Sequence, residues 1–261
     1  MFDIKTNGAT IPALGFGTFR MAEDDVKRIV PKALETGFRH IDTAQIYENE
    51  AAVGEAIETS DVPRKEIFLT TKVWVKNYRH DDFIASVDES LKKLRTDYVD
   101  LLLLHWPNDE VPLAEQIGAL NDVKTAALMN DAVELSDAPI VTNQIEYHPF
   151  LDQSVVMDAA NKLGMSLTGY YAMADGKVFE NETLKAIASD EGKSIAQIVL
   201  RWVIQQNNVI ALSKTVGEAR VVENFDIFDF ELTGEQMQAI HDLANENGRI
   251  VSPDGLAPDW D

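Results

Sequence analysis

The chain alternates short apolar runs with amphipathic helical stretches along most of its length. No other feature constrains its fold as much. GFGTF (15–19), FRHIDTA (38–44), IFLTTKVW (67–74) and VDLLLLHW (99–106) are each followed by apolar residues at helical spacing. IVTNQIEY (140–147), SLTGYYAM (166–173) and VIALSK (209–214) repeat the arrangement. Nearly continuous apolar strands separated by helices predict a parallel sheet covered by helices. Ahead of them, FDIKT and ATIPAL flank Asn7-Gly8, a dipeptide that predicts a tight β-hairpin. Seven strands follow the hairpin where a closed α/β barrel has eight. VKTAALMNDAVELS (123–136) reads as helix throughout, so a barrel built in this order lacks its fifth strand. The competing architecture is a doubly wound sheet. It calls for a Gly-rich phosphate turn after an early strand, and no G-x-G-x-x-G is present.

The length of 261 residues suits a single barrel domain over 1–261. With 44 acidic and 23 basic residues the formal net charge is −21, so duplex nucleic acid and anionic membranes are expected to be repelled. An anionic ligand needs locally clustered cations. There is no cysteine, which excludes disulfides and thiolate metal sites and fits a reducing cytoplasm. The N-terminal stretch shows no basic region followed by an apolar one, and VDLLLL is too short to span a bilayer. A cytoplasmic protein without a membrane partner is the expectation. A monomer is expected, with oligomerisation open if the barrel is open.

An α/β barrel places its chemistry at the C-terminal ends of its strands. Each strand here ends in a polar group that an apolar core would not select. The second ends at Asp42, with Tyr47 just beyond it; the third near Lys72; the fourth at His105. TNQIEYH carries Asn143, Gln144 and Glu146, SLTGYY carries Tyr170, and VIALSK ends at Lys214. Singly, each has an ordinary structural explanation: a helix cap, a wet tyrosine hydroxyl, a snorkelling lysine, a core histidine. Four such residues at one end of neighbouring strands form an acid catalyst. A buried Lys72 is tolerable if Asp42 pairs with it. The cation beside Tyr47 is expected to lower the phenol pKa from about 10 to about 8, which takes roughly 2.7 kcal/mol. Such a phenol can protonate a carbonyl oxygen, and His105 can orient that oxygen. A different reading takes His40, Asp42, His105 and His148 as metal ligands of a barrel hydrolase. Lys72 would then be a repelled neighbour of the metal, and no metal is expected.

GFRHIDTAQIYENEAAVG (37–54) resembles, position for position, the first signature of the aldo-keto reductases. The resemblance covers nearly the whole chain and implies a (β/α)8 TIM barrel. It also implies a catalytic tetrad of Asp42, Tyr47, Lys72 in LTTKVW and His105 in LLLLHWP. The family binds NADPH across the barrel mouth, without a Rossmann fingerprint, and reduces carbonyls. By resemblance, Gln144 contacts the nicotinamide amide, Tyr170 stacks on its ring, and Gly17 and Thr18 lie beside it. LSKTVGEARVVEN (212–224) resembles the adenosine-phosphate motif. Lys214, Thr215 and Arg220 would then hold the 2′-phosphate, and Glu223 and Asn224 the adenine, with Ser213 in place of a common proline. Two cations around one phosphate favour NADPH over NADH. Phe19, Trp74 and Trp106 would line an apolar substrate cleft. The tail RIVSPDGLAPDWD (249–261) resembles that of the bacterial 2,5-diketo-D-gluconate reductases within the family, the B-type in particular, and Trp260 is placed over the cleft. Small dicarbonyls, aldehydes and keto-sugar acids are the substrates this implies.

The family carries a Gly-x-Ser-Asn-Phe motif at the end of its fifth strand, and its Ser and Asn hold the nicotinamide carboxamide. About a dozen residues, enough for one strand and its turn, are absent here between VKTA and ALMNDAVELS. The omission removes about four buried side chains at roughly 1.5–3 kcal/mol each and leaves two sheet edges to be covered. Two functional readings follow: an NADPH-dependent carbonyl reductase, and a cofactor-binding deletion form with little turnover.

Overall fold

The structure is a computed structural model, and it describes residues 1–122 and 139–257. It opens with the hairpin that Asn7-Gly8 predicts. Strands β1 (Asp3–Thr6) and β2 (Ala9–Pro12) pair antiparallel with Thr6 opposite Ala9. Asn7 and Gly8 take φ of 40° and 87°, the left-handed values of a primed two-residue turn. The hairpin is bonded to the chain just before two later strands. Thr6 Oγ1 donates to the carbonyls of Val141 and Gly164, at 2.9 Å each. Asn7 Nδ2 donates to those of Ile140 (2.6 Å) and Leu163 (3.2 Å).

The main sheet holds β3 (Leu14–Gly17), β4 (His40–Asp42), β5 (Phe68–Val73), β6 (Leu101–Leu104), β7 (Thr142–Glu146), β8 (Ser166–Tyr170) and β9 (Val209–Ser213). All its pairings are parallel, in the order β6-β5-β4-β3-β9-β8-β7. Strands therefore neighbour one another in chain order all the way round, and the first meets the last, with Phe16 opposite Ser213. A doubly wound sheet would reverse its order at a switch point; this one curls as a barrel does. The exception falls where the sequence places it. Among the described residues, β6 and β7 are not hydrogen-bonded to each other. The helix expected over 123–136 lies outside the described residues.

The helices follow from their patterns. In α1 (Glu23–Thr36), Val26, Ile29, Val30, Ala33 and Leu34 form one buried stripe. Glu23, Asp24 and Asp25 occupy its first turn, where the helix dipole favours negative charge. It ends at Gly37, whose φ of 124° and contact with the Phe225 ring leave no room for a Cβ. The helices α2 (Glu50–Glu58), α3 (His80–Leu94) and α4 (Leu113–Asp122) cover the first half of the sheet. In the second half come α5 (Ser154–Lys162), α6 (Glu182–Glu191), α7 (Ile195–Gln205), α8 (Glu218–Phe225) and α9 (Gly234–His241). The helical stretch that follows SLTGYYAM is two helices. They divide at Gly192, in the left-handed region, and α7 restarts on a capping box of Ser194 and Gln197. No helix among the described residues is long and apolar enough to cross a membrane.

Asn7 both adopts the left-handed turn conformation and bonds two carbonyls outside the hairpin. Replacing it by alanine (Asn7→Ala) should lower the unfolding free energy by about 2 kcal/mol. Urea unfolding of the variant against the wild type measures this.

Candidate active site

Asp42 and Lys72 come from adjacent strands. The β4–β5 register sets Asp42 opposite Thr70, and Lys72 lies two residues further on the same face. Lys72 is 2% exposed. Its ammonium donates to Asp42 Oδ1 at 2.6 Å, to the Thr43 carbonyl at 2.9 Å and to Tyr47 Oη at 3.3 Å. Burial would lower the Lys72 pKa, but Asp42 and Tyr47 hold it above the usual lysine value. Gln144 Nε2 donates to the other Asp42 oxygen at 2.8 Å. Tyr47 ends a short 3₁₀ turn (Gln45–Tyr47), and its ring packs at 5.0 Å from Phe19 and 5.5 Å from His105, between centroids. Trp74 stands edge-on to His105 at 5.3 Å.

The expected lowering of the Tyr47 pKa is not found. Burial raises it and outweighs the cation of Lys72, so the phenol sits above its ordinary value of 10.0. Position in sequence reveals the neighbouring charge but not the depth of burial. His105 goes the other way: burial, then the Lys72 cation, push it down to about 3. Its imidazole is neutral, and its Nδ1 is buried without a partner among the described residues.

These groups face a cavity of about 2240 Å³, which runs from Trp74, Trp106 and Phe19 past Tyr47 to Gly17, Gln144 and Tyr170. It continues to Lys214, Thr215, Arg220, Glu223 and Asn224 around the start of α8. The candidate residues from distant stretches thus share one space. Lys214 and Arg220 are exposed and make no ion pair among the described residues. Ser213 accepts from Asn224 Nδ2 at 2.9 Å and fixes that side chain. Thr18 is the exception among the described candidates. It is fully buried behind the wall, with its amide on the Asp42 carbonyl at 2.9 Å. Trp260 lies outside the described residues.

Sequence reasoning misses Asn49 altogether and, for Glu146, misses its partners. Asn49 bonds the carbonyls of Thr18 (2.9 Å) and Met21 (3.2 Å) and accepts from Thr43 Oγ1 (3.1 Å), pinning the loop beside Asp42. Glu146 is buried at the end of β7. Burial would raise its pKa, but bonds from His148, Val251 and Ile250 hold it below the usual carboxylate value. The residues of the metal-hydrolase reading do not gather into one ligand set among the described residues. His148 is bonded to Glu146 at 3.0 Å, and His40 Nε2 lies 3.0 Å from Thr70 Oγ1. Among the described residues, no three His, Asp or Glu side chains converge.

A curled parallel sheet with a buried Asp–Lys–Tyr chain at its mouth defines a class, and comparison with known proteins agrees. Residues 13–245 match the aldo/keto reductase family, to which this chain belongs. It is 43% identical over 267 residues to methylglyoxal reductase DkgB of Escherichia coli O157:H7, across 96% of this chain and 99% of that one. The crystal structure of a putative 2,5-diketo-D-gluconic acid reductase B superposes with a TM-score of 0.97 at 61% identity, covering 100% of this chain and 98% of that one. A Gox0644 mutant solved in complex with NADPH matches at 30% identity and a TM-score of 0.89, over 96% of each chain.

The Asp42–Lys72 pair carries a stability prediction. Asp42→Asn leaves the Lys72 ammonium buried without its counter-charge. It should cost about 3–5 kcal/mol at neutral pH, as read by denaturant unfolding.

Proposed function

We propose that this protein is an NADPH-dependent reductase of small aldehydes and ketones, with dicarbonyls and keto-sugar acids as its substrate class. The observation that carries the proposal is the chain Asp42–Lys72–Tyr47. It opens, beside a neutral His105, into the same cavity as the exposed cations Lys214 and Arg220. The names of the relatives support the substrate class: one is a methylglyoxal reductase and another a putative diketogluconic acid reductase.

The residues present fit the cofactor. Lys214, Thr215 and Arg220 offer two cations and a hydroxyl for a phosphate, with Glu223 and Asn224 beside them for an adenine. Gly17, Gln144 and Tyr170 line the same cavity as Tyr47 and would hold the nicotinamide. When bound, the dihydronicotinamide supplies a hydride to the carbonyl carbon. Tyr47 Oη gives its proton to the carbonyl oxygen, so that C=O becomes an alcohol, and solvent returns the proton. Lys72 stabilises the phenolate left behind and is itself held by Asp42. With Nδ1 of His105 enclosed, Nε2 is the nitrogen left to hydrogen-bond the carbonyl oxygen. Phe19, Trp74 and Trp106 form an apolar surround that orients the substrate and limits water. A phenol held above its ordinary pKa is a weaker acid, but it remains protonated, as reduction requires, through neutral pH.

The absent Gly-x-Ser-Asn-Phe motif supports a second reading, in which the chain binds the cofactor but turns over little. Oxidation of NADPH with methylglyoxal separates the two: turnover supports the reductase, and tight NADPH binding without turnover the alternative. Tyr47→Phe should reduce kcat/KM by about a hundredfold or more while NADPH affinity, read by fluorescence titration, stays within about twofold. A variant that kept most of its activity would exclude Tyr47 as the acid. In the wild type, kcat/KM for reduction should show no loss from Tyr47 ionisation through neutral pH, and its alkaline loss should come at higher pH than an ordinary phenol would give, because burial raises the phenol pKa.

A further inference from the structure

Glu146 is the last residue of β7 and is 1% exposed. Its carboxylate is not part of the proton chain above, yet both oxygens are occupied. Oε1 accepts from the amide of Ile250 at 2.8 Å and lies 3.0 Å from His148 Nε2. Oε2 accepts from the amide of Val251 at 3.0 Å and lies 3.7 Å from Arg249 Nη1. Two successive amides from more than a hundred residues away thus converge on one carboxylate. Close by, the Asn245 amide donates to the Phe150 carbonyl at 3.1 Å, and Gly248 passes that carbonyl too closely for any Cβ. Immediately beyond the contact, Ser252, Pro253 and Leu256 line the cavity.

We propose that Glu146 is a positioning residue that latches the C-terminal segment 249–257 onto β7 and so builds the wall of the carbonyl cleft. A buried carboxylate is unfavourable unless its oxygens are filled. Apolar packing could hold the segment loosely, whereas two amides on a two-oxygen acceptor fix its register. Gln144 lies two residues earlier on the same strand face and is bonded to Asp42. One strand therefore sets both the proton chain and the segment facing it. The effect on substrate rests on the reductase reading; the latch itself does not.

Glu146→Gln replaces one acceptor oxygen by a donor and breaks one arm of the latch. The KM for methylglyoxal should rise by about tenfold, the scale of one charge-assisted hydrogen bond, with a smaller change in kcat. The dissociation constant of NADPH should stay within about twofold. By hydrogen exchange, the peptide covering 249–257 should be protected in the wild type and should exchange faster in the variant, while β7 and β8 stay protected. If Glu146→Gln does not fold, Val251→Pro removes one donated amide and should raise KM in the same direction. Faster exchange of the segment with an unchanged KM would overturn its role as a cleft wall. Fast exchange in the wild type would overturn the latch. A wild type without turnover would defeat the reductase reading, and protection of 249–257 would then decide the latch alone.

Discussion

A lysine ammonium has three protons to place, and at the centre of this protein all three are placed. Lys72 gives them to Asp42, the Thr43 carbonyl and Tyr47. Desolvating such a charge costs several kcal/mol, and only good geometry offsets it. The geometry comes from the sheet: a parallel register with period two brings Asp42 and Lys72 to one face of neighbouring strands. Tyr47 is held in turn by Lys72, and Gln144 by Asp42. Displacing any one of them would leave a buried donor or acceptor unmatched, so the group is fixed as a unit.

The same network bears on how a sheet with a break in its ladder stays curled. β7, at one side of the break, is restrained in several ways among the described residues. It shares a five-residue ladder with β8. Just before it, the carbonyls of Ile140 and Val141 accept from Asn7 and Thr6 of the hairpin. On its inner face Gln144 reaches Asp42 of β4, and at its end Glu146 takes the amides of Ile250 and Val251. An edge strand tied at both ends and from within depends less on a neighbour across the break. All four ties are hydrogen bonds, so among the described residues β7 is held without a partner strand on its β6 side.

What could be read from the sequence follows from how local each signal is. The strands were legible because a parallel strand buried on both faces is a nearly continuous apolar run, and LLLL at 101–104 is the plainest. The hairpin was legible because Asn-Gly suits two successive positive φ values. Asp42, Tyr47, Lys72 and His105 were legible as polar residues ending apolar runs. The Glu146 contacts were not, since 104 and 105 residues separate the partners and backbone amides carry no sequence signature. Nor was the direction of the Tyr47 shift, which depends on two opposed effects whose balance is set by packing. In the sequence Ser213 shows only as a replacement of a common proline, and its bond from Asn224 could not be read there.

Charge placement links the bulk composition to the site. Acidic residues outnumber basic ones by 44 to 23 in the whole chain, so its far field is negative. The cavity differs: five basic side chains, Arg20, Lys72, Lys214, Arg220 and Arg249, line it with six acidic ones. Two of the six, Asp42 and Glu146, are enclosed and already matched by Lys72, Gln144 and backbone amides. Lys214 and Arg220 remain exposed at the start of α8. An anion approaching this protein is repelled over most of its surface and meets two exposed cations, Lys214 and Arg220, in the cavity. At physiological ionic strength the repulsion fades beyond roughly 8 Å, whereas charges on a concave wall are screened less. The acidic exterior therefore does little to prevent entry and much to discourage anions from settling elsewhere, which makes the two cations selective as well as attractive.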